Sequence, residues 1–463
     1  MSARGKIARL MTLASLVILP VMRATQTSVK KESGAASAGT CSVEPTVFDG
    51  WQAQQMTNRW LQLVFVPKLG GRLMQVAFAG HPFLFVNPKY RGQYFPPVAG
   101  TRQWFNYGGD KIWPMPEGTE DGRHWPGPIA DALDDGDYAF HVLSQRQQCV
   151  VRLEGPPDAA TGLQYMRDVE IGADSPQISF RATMMNASDH AIRWSVQSVT
   201  QYDTADASNP KTFNHDFWAF TPVNAKSSYL ESYHVRSGLA EDPSFKVREG
   251  IFALHWLDLQ AEVWVDSTAG WTAVVDGASR YAMVERFDFD AAGEYPGKAT
   301  EIFYKNGPAV DAGHDGIPAI RSGAEDIPFY MEAELNSPMV KLAPGESYTF
   351  KTKWFPTRAG SNFKTETEAG VISEPPSFAV ASEGLKLAGV FGVFYPGKLV
   401  ARFSGSDERE LGAISVADVD PAQEVTLHQT IKIPKGTTRL SLRLIDTNGA
   451  DRGSLGEVEI SHR

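Results

Sequence analysis

The 463-residue sequence predicts an all-β protein in which a large β domain is followed by a small β-sandwich. Strand-like alternation of apolar and polar residues recurs at short intervals from Trp60 onwards, with turns marked by glycine, proline and asparagine. The composition agrees, with 41 glycines, 29 prolines and 11% aromatic residues. Apolar residues rarely keep the i, i+3, i+4, i+7 spacing for three turns, so we expect helices to be short and sparse.

The N-terminus has the layout of a secretory signal peptide. Arg4, Lys6 and Arg9 precede an apolar stretch at residues 10–22, which is shorter than the roughly 20 residues that cross a bilayer. We therefore predict that residues 1–38 are a signal peptide and disordered N-terminus, and that the protein is exported to the periplasm or the extracellular space. An uncleaved N-terminal anchor is the alternative. We expect no membrane contact beyond this export signal.

The chain contains two cysteines, Cys41 and Cys149. In an oxidising compartment two thiols of a secreted chain most often pair, so we predict a disulfide between them. Two buried free thiols are the alternative. Neither cysteine has a neighbour of metal-ligand type, and the histidines lack ligand spacing, so we expect no metal site and no cofactor.

The overall charge excludes one class of partner. The formal net charge is −10, and charged residues make up 21% of the chain without a basic stripe. Binding to nucleic acid depends on concentrated lysine and arginine. The sequence therefore predicts no nucleic-acid partner.

The most informative segment is residues 327–356, which predicts one β-hairpin. Glu332 and Glu334 are two positions apart in its first strand, so both carboxylates should point to the same face. The turn at 343–346, Ala-Pro-Gly-Glu, separates this strand from the return strand.

This segment and two others resemble the galactose mutarotase-like (aldose 1-epimerase) superfamily. A strand with a glutamate before a Pro-Gly-Glu turn is similar to the late catalytic hairpin of that superfamily, and residues 58–74 are similar to its opening strand and Gly-Gly-Arg turn. Residues 106–117, with the motif Gly-Gly-Asp-Lys-Ile-Trp-Pro, resemble a subgroup whose members mostly lack an assigned activity. The resemblance implies a galactose mutarotase-like β-supersandwich over residues 45–357.

The C-terminal part follows a predicted linker at residues 358–376. This interval is rich in glycine, serine, threonine and glutamate and lacks periodicity. Beyond it, strands and tight turns alternate over fewer than a hundred residues, which predicts a small β-sandwich at 377–463. Its sequence carries no functional signal.

The resemblance implies that Glu332 is a general base, which removes the proton of an anomeric hydroxyl so that a sugar ring opens. If the register differs by two, Glu334 takes this place. The alternative role for Glu332 is a cross-strand pair with Lys351 or Lys353.

Ring opening also requires an acid at the ring oxygen, and the epimerases of the superfamily use histidines there. In the strand most similar to the histidine-bearing one, Gln197 and Gln201 replace the imidazoles. An amide orients a hydroxyl but does not shuttle a proton near neutral pH. His124 and His215 are the candidate substitutes, although histidines in such polar, turn-rich segments are more often simply solvated.

A sugar site is predicted around the Gly-Gly-Asp-Lys motif, where aromatic faces alternate with polar groups. The alternative is a structural loop whose tryptophans fill the core. Arg72 offers a fork of donors for a ligand, or braces the loop through a buried carboxylate. The candidate substrate-binding residues are Arg72, Trp104, Asn106, Asp110, Lys111, Trp113, Gln201 and Glu334.

These observations predict a secreted carbohydrate-binding protein without classical aldose 1-epimerase chemistry, whose partner is a mono- or oligosaccharide. The missing histidines favour this function over the alternative, an active sugar epimerase that uses Glu332 as its base. A structural or assembly protein is the second alternative.

Overall fold

The computed structural model describes residues 39–96, 98, 104–118, 123–128, 132–308, 328–381 and 384–460. The predicted signal peptide lies outside these residues. Within them, no helix has the length and the apolar character needed to span a membrane.

The all-β prediction is confirmed. The helical segments described are the single turn α1 (Ala132–Asp135) and 3-10 turns at Pro88–Tyr90 and Pro296–Lys298. The strands up to residue 358 are β1 (Ser42–Phe48), β2 (Trp51–Thr57), β3 (Leu61–Val66), β4 (Arg72–Phe78), β5 (His81–Pro82), β6 (Asp110–Met115), β7 (Ala139–Ser144), β8 (Gln148–Glu154), β9 (Leu163–Gly172), β10 (Ile178–Asn186), β11 (Ile192–Asp203), β12 (Ala205–Asp206), β13 (Asn209–Phe213), β14 (Phe217–Pro222), β15 (His234–Ser237), β16 (Phe245–Arg248), β17 (Ile251–His255), β18 (Ala261–Val265), β19 (Trp271–Asp276), β20 (Tyr281–Phe287), β21 (Glu301–Lys305), β22 (Tyr330–Asn336), β23 (Val340–Leu342) and β24 (Ser347–Arg358).

Strands β12 and β13 pair with each other in a two-stranded sheet, and the other strands form two large antiparallel sheets. The twelve-stranded sheet has the order β1-β2-β3-β4-β6-β11-β22-β21-β18-β15, with β5 paired to β4 and β23 paired to β11. The ten-stranded sheet has the order β16-β17-β14-β19-β20-β24-β10-β9-β8-β7. One continuous hydrophobic core is built from the inward side chains of both sheets, so the sheets pack face to face.

The core between the sheets also holds polar pairs. Asp110 of β6 forms an ion pair with Arg167 of β9, and the Tyr202 hydroxyl of β11 donates to Glu285 of β20. All four side chains are buried. Each pair joins one sheet to the other, and pairing compensates the cost of taking these groups out of water.

The remaining strands form two four-stranded sheets around a core of their own that includes Leu387, Phe391, Leu399 and Leu442. One sheet has the order β25-β26-β27-β30 and the other β29-β28-β31-β32. Their strands are β25 (Thr365–Thr367), β26 (Gly370–Ala381), β27 (Gly384–Val393), β28 (Gly397–Ser404), β29 (Glu410–Val419), β30 (Val425–Ile431), β31 (Arg439–Asp446) and β32 (Asp451–Glu459).

The predicted linker at 358–376 is folded, because β25 and the first half of β26 lie within it. Val371 and Ile372 of β26 are buried, and their backbone pairs with β27. The polar composition that suggested a linker belongs to an edge strand and to turns. The exact division of the chain into domains remains a prediction.

The predicted hairpin at 327–356 is wrong, because its two strands belong to different sheets. Strand β22 pairs with β11 and β21 in the twelve-stranded sheet, whereas β24 pairs with β10 and β20 in the ten-stranded sheet. The short β23 and the predicted turn, where Glu346 N donates to Ala343 O over 2.9 Å, connect them. Lys351 and Lys353 are therefore not the cross-strand partners of Glu332.

The structure joins Cys41 and Cys149 in a disulfide, as predicted. Both residues are buried, and 108 positions of sequence separate them. The bond ties the beginning of the described chain to β8 in the ten-stranded sheet.

Candidate functional site

A cleft of about 430 Å³ lies on the outer face of the twelve-stranded sheet. Strands β6, β11, β22, β21, β18 and β15, which are neighbours in this sheet, contribute to its lining. Its aromatic lining residues are Trp104, Trp113, Trp264, Tyr304 and Tyr330. Its ionisable and amide lining residues are Glu117, Gln197, Arg236, Glu262, Glu332 and Glu334.

The alternation of side chains along each strand separates this cleft from the core. In β22, Met331, Ala333 and Leu335 belong to the core, while Glu332 and Glu334 line the cleft. Strands β18 and β21 divide in the same way. The predicted common face of Glu332 and Glu334 is therefore observed, although the strand pairing predicted for them is not.

Glu332 has a cation and an amide at the same oxygen. The Nε2 atom of Gln201, its cross-strand neighbour on β11, donates to Oε1 over 2.5 Å. The ammonium of Lys111 lies 3.5 Å from the same Oε1. A hydrogen-bond donor and a cation therefore meet at one carboxylate oxygen. The Glu332 side chain is 8% exposed, so the carboxylate is largely shielded yet reaches the cleft.

Glu334 has a different environment. Its Oε2 accepts a hydrogen bond from the neutral amide of Gln197. Burial raises the pKa of Glu334 well above its ordinary value, and the Glu332 carboxylate raises it further. Of the two neighbouring carboxyl groups of β22, Glu334 therefore holds its proton more tightly than an ordinary glutamate.

Two further glutamates face the same space. Burial raises the pKa of Glu262, whose Oε1 accepts the Trp264 indole N–H over 2.5 Å. Glu117 keeps a solvent-exposed edge, but the surrounding protein atoms and the carboxylates of Glu262 and Glu332 raise its pKa to about 7. The cleft is thus rich in carboxyl groups, and Arg236 is the arginine among its lining residues.

Asp134 of α1 fixes the tryptophans at one end of the cleft. Trp113 Nε1 donates to its Oδ1 over 2.8 Å, and Trp104 Nε1 donates to its Oδ2 over 3.1 Å. The two indole rings meet edge to face, with centroids 6.3 Å apart. Lys111 lies 4.5 Å from the centre of the Trp113 ring. The tryptophans therefore hold fixed positions before any ligand arrives.

Arg72 and Asp110, predicted to bind substrate, lie outside the cleft lining. Arg72 is fully buried and pairs with Asp134, so it braces the loop, as the alternative role proposed. Asp110 is also fully buried, because it alternates with Lys111 along β6 and points into the core. Thr200 Oγ1 donates to it over 3.1 Å, and Arg167 forms an ion pair with it.

The Gly-Gly pair of the motif turns the chain next to other backbone. Gly108 and Gly109 have φ values of 95° and 76°. A Cβ atom at Gly108 would lie 2.1 Å from the Phe85 carbonyl oxygen, and one at Gly109 would lie 2.8 Å from that of Leu73. Glycine is required here for packing within the protein rather than for access to a ligand. Asn106 caps this turn, because its Oδ1 accepts the Gly108 N–H over 3.1 Å.

Neither candidate histidine lines the cleft. His124 lies beside Gly118, a lining residue, and a Cβ atom at that glycine would be 3.2 Å from the imidazole. His215 lies before β14 of the ten-stranded sheet, where its carbonyl accepts a hydrogen bond from His255. Among the described residues, histidine is absent from the lining of the cleft.

Four of the predicted site residues meet in the lining: Trp104, Trp113, Glu332 and Glu334. Lys111 and Gln201 lie behind them and contact Glu332. Strands β15, β18 and β21 also contribute lining residues that the sequence did not predict, among them Arg236, Glu262, Trp264 and Tyr304. Their signal was weak, because Glu262 and Trp264 alternate with core residues in an ordinary strand pattern.

Among the described residues, no group of three or more histidine, cysteine, aspartate or glutamate side chains is arranged to hold a metal ion. The residues described around the cleft combine aromatic, carboxyl and amide groups with one arginine, on a large β-sandwich.

Comparison with known proteins finds similarity at the level of structure. No protein-family model matches the chain, and no curated protein matches it. A putative aldose 1-epimerase from Klebsiella pneumoniae aligns with 69% of this chain and 84% of its own, at 12% identity and a TM-score of 0.45. A galactose mutarotase-like protein from Clostridium acetobutylicum aligns with 69% of this chain and 99% of its own, at 10% identity and a TM-score of 0.42.

A TPR-domain containing protein from Parabacteroides distasonis also aligns with 69% of this chain, at 12% identity and a TM-score of 0.45. The alignment spans 54% of that protein, so about half of its length is matched. Galactose mutarotase-like and aldose 1-epimerase proteins thus stand among the structural neighbours, as the sequence motifs predicted. Likenesses at these identities and TM-scores assign neither a reaction nor a substrate.

Proposed function

We propose that the cleft binds carbohydrate and that the protein is an exported carbohydrate-binding protein without histidine-based epimerase chemistry. The observation that carries this proposal is the alternation of flat aromatic faces with carboxyl and amide groups around a space of about 430 Å³. Sugar rings present apolar C–H faces that pack on aromatic rings, while their hydroxyl groups need donors and acceptors. In β18, Trp264 supplies an aromatic face, and Glu262, two residues earlier, supplies a carboxyl group.

The fixed geometry of the cleft supports binding as well. Glu262 holds Trp264, and Asp134 holds Trp104 and Trp113, by hydrogen bonds to the indole N–H groups. Aromatic side chains that are already immobile lose little conformational entropy when a ligand binds. Neutral saccharides suit this cleft better than acidic ones, because carboxyl groups outnumber cations in its lining.

Tryptophan fluorescence tests the proposal directly. Titration with neutral mono- and oligosaccharides should change the emission of the wild-type protein and protect it from quenching by iodide. The Trp264→Ala variant should lose most of this response while keeping its melting temperature within a few degrees. The matched control is Trp218→Ala, since Trp218 is a half-buried tryptophan of β14 in the other sheet. If no saccharide changes the emission, the proposal fails.

Export of the protein is part of the same proposal and rests on the N-terminal sequence. A protein expressed from the full-length gene should be recovered outside the cytoplasm with a new N-terminus before residue 41. Recovery of the full-length chain in the membrane fraction would favour the uncleaved anchor.

One observation favours a second function, an epimerase or mutarotase that uses Glu332 as its base. Glu332 lines the cleft, and its Oε1 atom lies near the Lys111 ammonium and accepts the Gln201 amide. A carboxylate in a shielded cleft is chemically suited to remove the proton of an anomeric hydroxyl. This function requires an acid that the family's histidines do not supply here.

A further inference from the structure

The two carboxyl groups of β22 reach the same space from fixed positions. Glu332 and Glu334 are separated by one core residue, Ala333, and both line the cleft. Two residues along a strand correspond to about 6.6 Å. A sugar ring bound over β22 would therefore meet both carboxyl groups.

The partners of the two groups divide the roles of base and acid. The Oε1 atom of Glu332 lies 3.5 Å from the Lys111 ammonium and accepts the Gln201 amide, and both contacts stabilise a negative charge. Glu334 accepts only a neutral amide, that of Gln197, among the hydrogen bonds described for its side chain. A charge on Glu334 would also face the carboxylate of Glu332 two residues away.

The charged groups around Glu334 also favour its protonated form. Glu117, Glu262 and Glu332 disfavour a negative charge on it, and Lys111 opposes them less strongly. Arg236 also lines the cleft. The hydroxyl groups of Tyr304 and Tyr330 titrate only at high pH, because burial raises the pKa of both. Neighbouring carboxyl groups whose environments separate their protonation states are a common acid–base arrangement.

We infer that Glu332 and Glu334 form an acid–base pair that opens the ring of a hemiacetal sugar, with Glu334 as the acid in place of histidine. Glu332 takes the proton of the anomeric O1–H as the C1=O bond forms. The C1–O5 bond breaks, and O5 receives the proton of Glu334. Rotation of the aldehyde about the C1–C2 bond and the reverse transfers then close the ring as the other anomer, so atoms and protons balance without a co-reactant.

This inference rests on the proposed function, because the sugar must first bind in the cleft. The test is anomeric exchange measured by NMR with freshly dissolved α-D-glucopyranose, α-D-galactopyranose and α-D-xylopyranose. Wild-type protein should exchange the anomers faster than buffer alone. Its rate should fall at high pH as Glu334 loses its proton.

The Glu334→Gln variant should lose at least about 100-fold of the enzymatic rate, because general acid catalysis contributes on this scale. Glu334→Asp should restore part of the rate, and Glu374→Gln, an exposed position of β26, should leave it unchanged. Fluorescence titration and melting temperature show whether each variant folds and binds. The wild-type pH profile provides a readout that needs no variant.

Three results would overturn the inference. Exchange of the anomers by Glu334→Gln at the wild-type rate, or with the fall at high pH retained, would mean that another group is the acid. A sugar that binds without faster exchange would overturn the inference and leave the proposed function intact. Failure of every saccharide to bind would overturn both.

Discussion

The Nη2 atom of Arg72 lies 2.8 Å from Oδ2 of Asp134, and neither side chain is exposed to solvent. The same aspartate accepts the indole N–H groups of Trp104 and Trp113. One buried carboxylate therefore links the opening Gly-Gly-Arg turn to the aromatic end of the cleft.

The Asp134→Ala variant should lose about 3–5 kcal/mol of the free energy of unfolding, because the Arg72 guanidinium would remain buried without its main counter-ion. Urea denaturation measures the change. The control is Asp137→Ala, an exposed aspartate three residues later, which should change stability by about 0.5 kcal/mol or less. Equal stability of the two variants would show that the Arg72–Asp134 pair does not stabilise the fold.

The Asp110→Ala variant should destabilise the fold rather than act on binding alone. An Asp110 side chain in contact with ligand would be exposed, and its removal would leave the melting temperature nearly unchanged. The observed side chain is buried against Arg167, so we expect a loss of about 3–5 kcal/mol. Thermal and urea denaturation measure it, with Asp189→Ala, whose side chain is fully exposed, as control. An unchanged melting temperature would contradict the burial of this pair.

Glu285 should make the stability depend on pH. Burial raises its pKa from 4.5 to about 8. Between these pH values the folded protein keeps a proton on Glu285 that the unfolded chain has lost. The contribution of this proton to the free energy of unfolding is therefore fully present below about pH 4.5 and is lost as the pH rises to about 8. The slope is at most about 1.4 kcal/mol per pH unit.

The Glu285→Gln variant keeps an acceptor for the Tyr202 hydroxyl but cannot ionise. The difference in unfolding free energy between variant and wild type should therefore grow in favour of the variant from pH 5 to pH 8. Urea denaturation at several pH values measures it, and Glu374→Gln should show no such trend. A difference that does not change with pH would mean that Glu285 titrates normally.

Removal of the disulfide should lower stability at any pH. The Cys41→Ser/Cys149→Ser double variant opens a loop whose ends are 108 residues apart, and the chain-entropy model predicts a cost of roughly 4 kcal/mol. Denaturation with and without reductant measures this cost in the wild-type protein. The reductant should have no effect on the double variant.

Acidic sugars should bind more weakly than neutral ones. Repulsion between the carboxylates of the cleft and that of D-glucuronate should make its affinity at least about tenfold lower than that of D-glucose at low salt. Added salt should reduce this difference in affinity, because it screens the charges. Fluorescence titration measures both affinities. Glu117→Gln should narrow the gap as well, since it removes one carboxylate that partly ionises at neutral pH. Tighter binding of glucuronate would mean that Arg236 dominates the field in the cleft.

Local pattern was enough to predict several features of this molecule. Alternation of apolar and polar residues predicted the strands, and the spacing of Glu332 and Glu334 predicted their common face. The disulfide was predicted because the chain has two cysteines and is expected to be exported to an oxidising compartment. The strands and the common face depend on residues that are close in sequence. The disulfide has one possible pairing, because the chain contains two cysteines.

The order of strands in the sheets was not predictable from the same patterns. Sequence neighbours with a turn between them normally pair, yet β22 and β24 enter different sheets. For this reason the contributions of β15, β18 and β21 to the cleft were missed. Asp110 was misplaced for a related reason, because its alternation with Lys111 does not tell which of the two faces inward.

The alternation along β22 has a consequence for how this chain can evolve. Its even positions 330, 332 and 334 line the cleft, whereas its odd positions, such as Met331 and Leu335, belong to the core. A substitution at one of these even positions changes the surface of the cleft without removing a core side chain. The insertion or deletion of a single residue would exchange the two sets, turning carboxylates inward and methyl groups outward. Natural variation in this strand should therefore consist of substitutions and keep its length.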